Sequence, residues 1–391
     1  MSRPRNSGSS VDADLRLLSL PTVESLATGH DRSPQERREL VVIGLTDDDG
    51  LTGWGECSAL NRPTYTSEWA RGAFAALSLA TLSSPALADG TLGPAQPMAA
   101  AGLEMALTDL RLRAEGQSLA SSLGVTRAAV PAGAAVGLAT PEDLSKRVAD
   151  LVDAGFGRIK VKIEPDNDLQ SVRVLREQHP DLEIHVDANG SYRPGNLPVL
   201  LQLIDIGVSI LEQPFPAGDF SHETVHATRS LIAAGLVVVI DEGVNDLDDA
   251  RTLHALGMLS AISLKPPRVG GLSAARELHD WAVQGEVALT AGGMLESGLG
   301  RHSLAAFAAL DGFTITGDVS PARRWLADDP WPDLHFVSAP PPGRIEIPRG
   351  AGVAPTPDLD VLDRYTVERS VGRLRIDPLH EPTNGGGTRF G

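Results

Sequence analysis

The sequence predicts an α/β protein: a (β/α)8 barrel of the TIM type, with an α+β capping domain built from the N-terminal segment and part of the C-terminal one. Three observations predict it. From about residue 130, short apolar or β-branched segments recur eight times, centred near residues 134, 160, 186, 211, 240, 264, 289 and 316, about 24 to 29 apart. Stretches of helical periodicity lie between them. Five consecutive predicted strands end in ionisable residues, and such barrels do their chemistry at the carboxyl ends of their strands. Eight strand–helix units in series require a parallel sheet. An open doubly wound sheet is the alternative, but no glycine-rich dinucleotide turn follows an early strand.

Taken in order, "RRELVVIGLTDDDGLTGWGECS" reads as a hairpin turning at "DDDG", and "PMAAAGLEMALTDLRLRAEG" as an amphipathic helix. Residues 1–129 form the first part of the cap. The barrel occupies 130–322, with strands "VPAGAAVGL", "RIKVKI", "EIHVDA", "VSILEQ", "VVVIDE", "AISLKP", "VALTAG" and "FTITGD". Helices are predicted at "PEDLSKRVADLVDAG", "DLQSVRVLREQ" and "GLSAARELHDWAV". Residues 323–378, proline-rich at first, return to the cap, and 379–391 read as a disordered tail.

Composition narrows the function. Hydrophobic residues make up 42% and charged residues 22% of the 391, which is globular. The formal charge of −17, from 34 Lys+Arg against 51 Asp+Glu, sets the chain against nucleic acid and anionic membranes. One cysteine, Cys57, excludes an internal disulfide and any multi-cysteine metal site. No apolar signal core or membrane-length run is present. The expectation is a soluble cytoplasmic protein, with a homo-oligomer open.

The strand ends carry the chemistry. Lys160 and Lys162 share one face of the second strand. Asp187 and Asn189 end the third strand, Glu212 the fourth, Asp241 and Glu242 the fifth, and Lys265 the sixth. Alone, each acid would more often be a loop hydrogen-bonder and each lysine a snorkelling surface group; the shared register makes a functional set. Three carboxylates from adjacent strands, Asp187, Glu212 and Asp241, suit a hard dication such as Mg2+ or Mn2+. Strand phase turns Asp241 inward rather than Glu242. His185 reads as a packed core histidine, so zinc is disfavoured. Neighbouring ammonium groups and a metal cation would push a lysine pKa towards neutrality, and such a lysine can take a proton from carbon. The metal would hold the substrate carboxylate and stabilise the enediolate. Lys162 and Lys265, on opposite sides of the acids, address opposite faces of one carbon. A barrel that only binds an acidic metabolite needs no such lysine pair, and a metal-dependent hydrolase would need histidines that "GAAVGL" lacks.

These motifs, "KVK", "DAN", "EQP", "DE" and "KP", in this order, resemble the enolase superfamily in its muconate-lactonizing subgroup, over residues 14 to 370. "GWGECSALNRPTYTSE", "LKPPRVGGLSAARELHD", "GGMLESGLGR" and "GDVSPARRW" are most similar to its o-succinylbenzoate synthases and N-succinylamino acid racemases. The resemblance implies a cap closing over the barrel mouth, Asp187, Glu212 and Asp241 as ligands of Mg2+, Lys162 as the acid/base, and Lys160 as its cationic neighbour. Lys265 would hold charge in a synthase, which makes a menaquinone precursor by dehydration, or act as second base in a racemase or epimerase; a cycloisomerase is the third reading. Asn189, Ser263 and Glu242 are candidates to support these groups or the substrate. The capping loop "PTVESLATGHDRSPQERREL" lacks the aromatic and arginine-bearing segment expected there. Gly243, Pro267 and Ala135 also depart from the pattern, which leaves the substrate open. Arginines of "RPTY" and "PARRW" are candidates for a distal carboxylate.

Overall fold

The computed structural model describes residues 10–375 except 27–32, 34, 84–91, 93–94, 138, 166–167 and 341. The tail 379–391 and the middle of the capping loop lie outside the described residues.

The cap begins with three antiparallel strands, β1 (Ser10–Leu26), β2 (Gln35–Thr46) and β3 (Thr52–Cys57). The turn between β2 and β3 is the expected one: Gly50 donates to the Asp47 carbonyl at 3.0 Å and takes φ +85°, a conformation glycine adopts without steric cost. The capping segment expected as loop is strand at both ends, since β1 runs to Leu26 and β2 starts at Gln35. Two covering layers explain the unbroken run "ELVVIGL" in β2. Val41, Ile43 and Leu45 face the cap helices, while Leu40 and Val42 join the barrel core, so neither face is left to polar residues. β1 does the same through a register shift at Leu17/Leu18: Leu15 and Leu17 pack in the cap, Leu18 and Leu20 against the barrel.

Two helices cover the outer face of the sheet, α1 (Ala70–Ser83), which the sequence reading passed over, and α2 (Pro97–Glu115). α2 lies on β3 almost backbone to backbone. A Cβ on Gly55 would fall 2.0 Å from the Gly102 carbonyl oxygen, so "GWGEC" needs its glycines for close approach. Asp109 of α2, fully buried, accepts from the backbone N–H of Trp54 at 2.8 Å and of Val353 at 2.6 Å, and from Arg113 Nε at 2.6 Å. One carboxylate thus joins β3, α2 and the segment returning from the barrel.

The expected first barrel strand is two. Ala129–Pro131 (β4) leaves the barrel to pair in a small sheet, and Gly133–Val136 (β5) enters it. β6 (Arg158–Lys162), β7 (Glu183–Asp187), β8 (Ile210–Glu212), β9 (Val237–Ile240), β10 (Ala261–Leu264), β11 (Ala288–Ala291) and β12 (Phe313–Ile315) follow in parallel, each beside its predecessor. The three longer expected helices form at Pro141–Asp153, Asp168–Gln178 and Leu272–Gln284. The chain just past β12 draws the ring towards closure: Gly133 donates to the Val319 carbonyl at 3.3 Å, and a Cβ there would lie 2.2 Å from the Gly317 carbonyl oxygen. β13 (Phe336–Val337) and β14 (Arg344–Glu346) complete the small sheet with β4. β15 (Thr366–Arg375) then returns to pair with β1.

Cap and barrel are clasped by buried charge. Arg38 of β2, 2% exposed, donates to the carbonyls of Ser58 (2.6 Å) and Ala59 (2.7 Å) in the cap. It also donates to those of Met294 (3.2 Å) and Leu295 (3.1 Å) beyond β11. Glu56 of β3 reaches the start of helix Gly298–Ala308. There it accepts from the backbone of Ser297 (3.2 Å) and Gly300 (3.3 Å), the Ser297 hydroxyl, and the Ser58 hydroxyl at 2.8 Å. Burial pushes Glu56 up to about 7, with Glu296 adding to the rise against its hydroxyl donors and Arg38. The unfolded carboxyl releases its proton near 4.5, so between these values the folded state binds more protons and stability falls as pH rises. Replacing Glu56 with Gln removes that slope: the melting temperature of wild type relative to the variant should decline from pH 4.5 to pH 7. A constant difference across the window would show that Glu56 is already ionised in the folded protein.

Candidate functional site

The row of ionisable groups is a consequence of strand register. Lys162 stands opposite Asp187, and Asp187 opposite Glu212, across three neighbouring strands. Lys160 lies one step deeper on the same face, opposite His185. Asp241 follows the last residue of β9, and Lys265 the last of β10. All the sequence-predicted lysines and carboxylates therefore meet at one end of the barrel.

Their partners define the electrostatics. Lys160 Nζ lies 3.0 Å from both Glu212 oxygens, 2.7 Å from Asp318 and 3.7 Å from Asp187. Lys162 Nζ donates to Asp187 Oδ2 at 2.5 Å and Asn189 Oδ1 at 2.6 Å. Asn189 in turn donates to Glu242 Oε1 at 2.9 Å, so Asn189 and Glu242 form a relay behind Lys162. Lys265 Nζ lies 2.7 Å from Asp241 Oδ2, and Arg268 holds the other oxygen. Ser263, fully buried on β10, has no hydrogen-bond partner for its hydroxyl among the described residues. Asn189 and Gln213 both take positive φ, +42° and +40°, which is uncommon outside glycine and clusters at functional strand ends. Gln213 uses its side chain to fix the next strand end, accepting from the N–H of Asp241 at 3.0 Å and Gly243 at 3.2 Å.

One expectation needs correction. The carboxylates do not already converge as a cage: among the described residues no group of three acids, histidines or cysteines is poised around one point, because each acid is engaged separately by lysine or arginine. The two lysines buried beside these acids, Lys160 and Lys265, take their character from them. Burial acts to lower Lys160, but Asp318, Glu212 and Asp187 outweigh it and hold it above the ordinary range. Lys265 is held well above by Asp241 and Tyr65 against the same burial. Burial likewise pushes Glu212 up to about 7, opposed by Lys160 and reinforced by Asp187, Asp241 and Asp318. Burial would also raise Asp187 and Asp241, but the cations beside them bring both below the usual carboxylate range.

Asp187, Glu212 and Asp241 are three hard oxygen donors on neighbouring strand ends, a donor set whose chemistry suits a divalent cation. Lysine and such a cation would compete for the same oxygens.

Three contributors were not singled out from sequence. Asp318, past β12, bridges Lys160 and Arg158; the "GD" ending the eighth strand was its signal. Arg268 follows Lys265 by one helical turn in "KPPR". Tyr65 comes from the cap, and its hydroxyl donates to Asp241 Oδ1 at 3.1 Å and receives Arg268 at 2.8 Å and Lys265 at 3.1 Å. His185 is a core residue as read: its Nδ1 accepts from Arg158 at 2.9 Å and burial lowers it to about 4. Cys57 is buried within the cap core. The arginines considered for a distal carboxylate have partners within the protein. Arg62 donates to Ser33 at 2.8 Å, Arg323 to Asp333 at 2.8 Å, and Arg324 to the Ala135 carbonyl at 3.1 Å. Gly243 lies against Ile240 and Gln213, and Pro267 lines a small cavity together with Ala101 and Met105 of α2.

Residues 143–361 match the family described as "Enolase C-terminal domain-like", and residues 25–124 match the mandelate racemase / muconate lactonizing enzyme N-terminal domain. The chain belongs to the enolase superfamily. It is 34% identical over 348 residues to an o-succinylbenzoate synthase of Bacillus subtilis, covering 86% of this chain and 91% of that one. It is equally 34% identical over 370 residues to an N-succinylamino acid racemase of Amycolatopsis, covering 91% and 97%. A solved enolase-superfamily member from Listeria innocua superposes with a TM-score of 0.81 at 28% identity, covering 93% and 99%. The chain is accordingly an enzyme of this superfamily, whose members generally use a divalent metal. No helix among the described residues is long and apolar enough to cross a membrane.

Proposed function

We propose that the protein is a Mg2+-dependent lyase of the o-succinylbenzoate synthase type, removing the α-proton of a carboxylate substrate and expelling a hydroxyl. The observation that carries this reading is the placement of Lys162 and Lys265 on opposite sides of the Asp187–Glu212–Asp241 row. When bound by those acids, Mg2+ would hold the substrate carboxylate and stabilise the charge that develops on it. Lys162, fixed by Asn189, takes the α-proton and returns it to the leaving hydroxyl on the same face. Lys160, deeper and clamped by Glu212 and Asp318, contributes fixed positive charge. Lys265 stays cationic against Asp241 and over the Tyr65 ring at 4.8 Å, the state that holding an anionic intermediate asks for.

The second reading is racemisation or epimerisation of N-acylated amino acids, supported by the racemase relative at equal identity; there Lys265 must also exchange a proton. One ultraviolet assay with Mg2+ follows the cyclohexadiene precursor becoming o-succinylbenzoate, and a D2O sample of N-succinyl-phenylalanine follows α-proton exchange. Fast dehydration supports the lyase. Exchange without useful dehydration moves the assignment to the racemase, and neither reaction would sink both.

A further inference from the structure

The two lysines that face each other across the acids are held by different parts of the molecule. Among the described residues, the hydrogen bonds of Lys162 go to Asp187 and Asn189, both at the end of β7. Lys265 is held from the cap. Tyr65, on the stretch between β3 and α1, accepts its ammonium at 3.1 Å and lies beneath it, the ring centroid 4.8 Å away. The same hydroxyl receives Arg268 and donates to Asp241, so one cap side chain touches Lys265, Arg268 and Asp241 together.

A second cap contact reaches the same strand end independently. Glu104 of α2 accepts from the backbone N–H of Ser273 at 2.9 Å and from the Ser273 hydroxyl, at the start of helix Leu272–Gln284. Its other oxygen would lie 1.7 Å from a Cβ on Gly271, whose φ is +128°, so the glycine is there to admit the cap carboxylate. Gly271 is tied to Pro266 by an N–H···O bond of 2.9 Å, and Arg268 and Val269 bond back to the Lys265 carbonyl at 3.0 and 3.3 Å. From Glu104 to Lys265 the chain is one tight turn.

We infer that the cap positions Lys265 and leaves Lys162 to the barrel, with Tyr65 as the positioning residue and Glu104 as its backbone-side counterpart. Docking of the cap therefore completes one catalytic face while the other is built without it. This deepens the two-lysine reading and rests on it for what each lysine does; the positioning itself is testable without substrate.

Folded, Mg2+-supplied wild type and Tyr65→Phe would be treated with formaldehyde and cyanoborohydride, and methylation at each lysine read by peptide mass spectrometry. Losing one hydroxyl should leave melting nearly unchanged yet raise methylation of Lys265 about three- to tenfold. Lys160 and Lys162 should stay within about twofold. Glu104→Gln should show the same selectivity more weakly, and serves if Tyr65→Phe melts early. An unchanged Lys265, or all three lysines rising together, overturns the inference. In D2O with each enantiomer of N-succinyl-phenylalanine, Tyr65→Phe should slow exchange on one face chiefly through kcat and spare the other; equal loss on both faces also overturns it. If wild type exchanges neither enantiomer, the functional reading is what fails, and the methylation result still decides the positioning.

Discussion

Lys162→Ala should lower kcat by about 10^3-fold or more while KM moves little, because removing a positioned general base forfeits roughly 10^2 to 10^4 in rate. A thousandfold corresponds to about 4 kcal/mol of barrier. The structure gives reasons to place the loss in the chemical step. Lys162 is reachable from the barrel mouth yet fixed at 2.5 Å from Asp187 and 2.6 Å from Asn189, so its nitrogen is aimed before substrate arrives. Lys160, enclosed by Glu212 and Asp318, offers no mobile replacement. The ultraviolet assay and the exchange assay should fail together in this variant, with melting close to wild type. A variant retaining activity within tenfold of wild type would remove Lys162 from the role of base.

Asp109→Ala should cost about 3–5 kcal/mol of stability, although Asp109 lies far in sequence from the candidate site. Three donors, the N–H groups of Trp54 and Val353 and the guanidinium of Arg113, lose their acceptor together. Each of the two buried N–H groups left unsatisfied costs about 1–3 kcal/mol, and Arg113, being partly exposed, adds less than the roughly 3–5 kcal/mol of a fully buried pair. Arg113 keeps a bond to the Ala354 carbonyl at 2.5 Å, which places the sum in the lower part of that range. Asp109→Asn should be intermediate, since one amide oxygen survives while the NH2 faces a donor. Urea denaturation followed by fluorescence would measure both, and a loss under about 1 kcal/mol for Ala would contradict the account.

The barrel was legible because its signals are local and repeated. Eight apolar segments at near-equal spacing fix a parallel sheet, and register then carries Lys162, Asp187 and Glu212 into one row without further information. What escaped the sequence reading is non-local. Tyr65 meets Lys265 across 200 positions, and nothing in "RPTY" distinguishes a tyrosine aimed into a barrel from one on a surface. Asp318 meets Arg158 across 160. Counting carboxylates by strand end missed Asp318, and with it the balance of charge about Lys160. Pro131 split the first predicted strand for a local reason: it lacks an N–H to continue a ladder, and the chain changes sheets there.

The pairing of β1 with β15 joins Ser10 to Arg375 and Leu17 to Glu368. Chains are made in one direction, so during synthesis β1 must wait for nearly the whole polypeptide before its outer edge is covered. The barrel strands, by contrast, can pair with neighbours about 25 residues away as they leave the ribosome. The nascent cap thus spends most of translation with an open strand edge, the kind of surface that recruits stray β-segments. A ribosome stalled before Thr366 would hold a barrel with all its strands beneath a cap still exposing that edge. Chaperone dependence in such arrested chains should follow the presence of the last ten described residues.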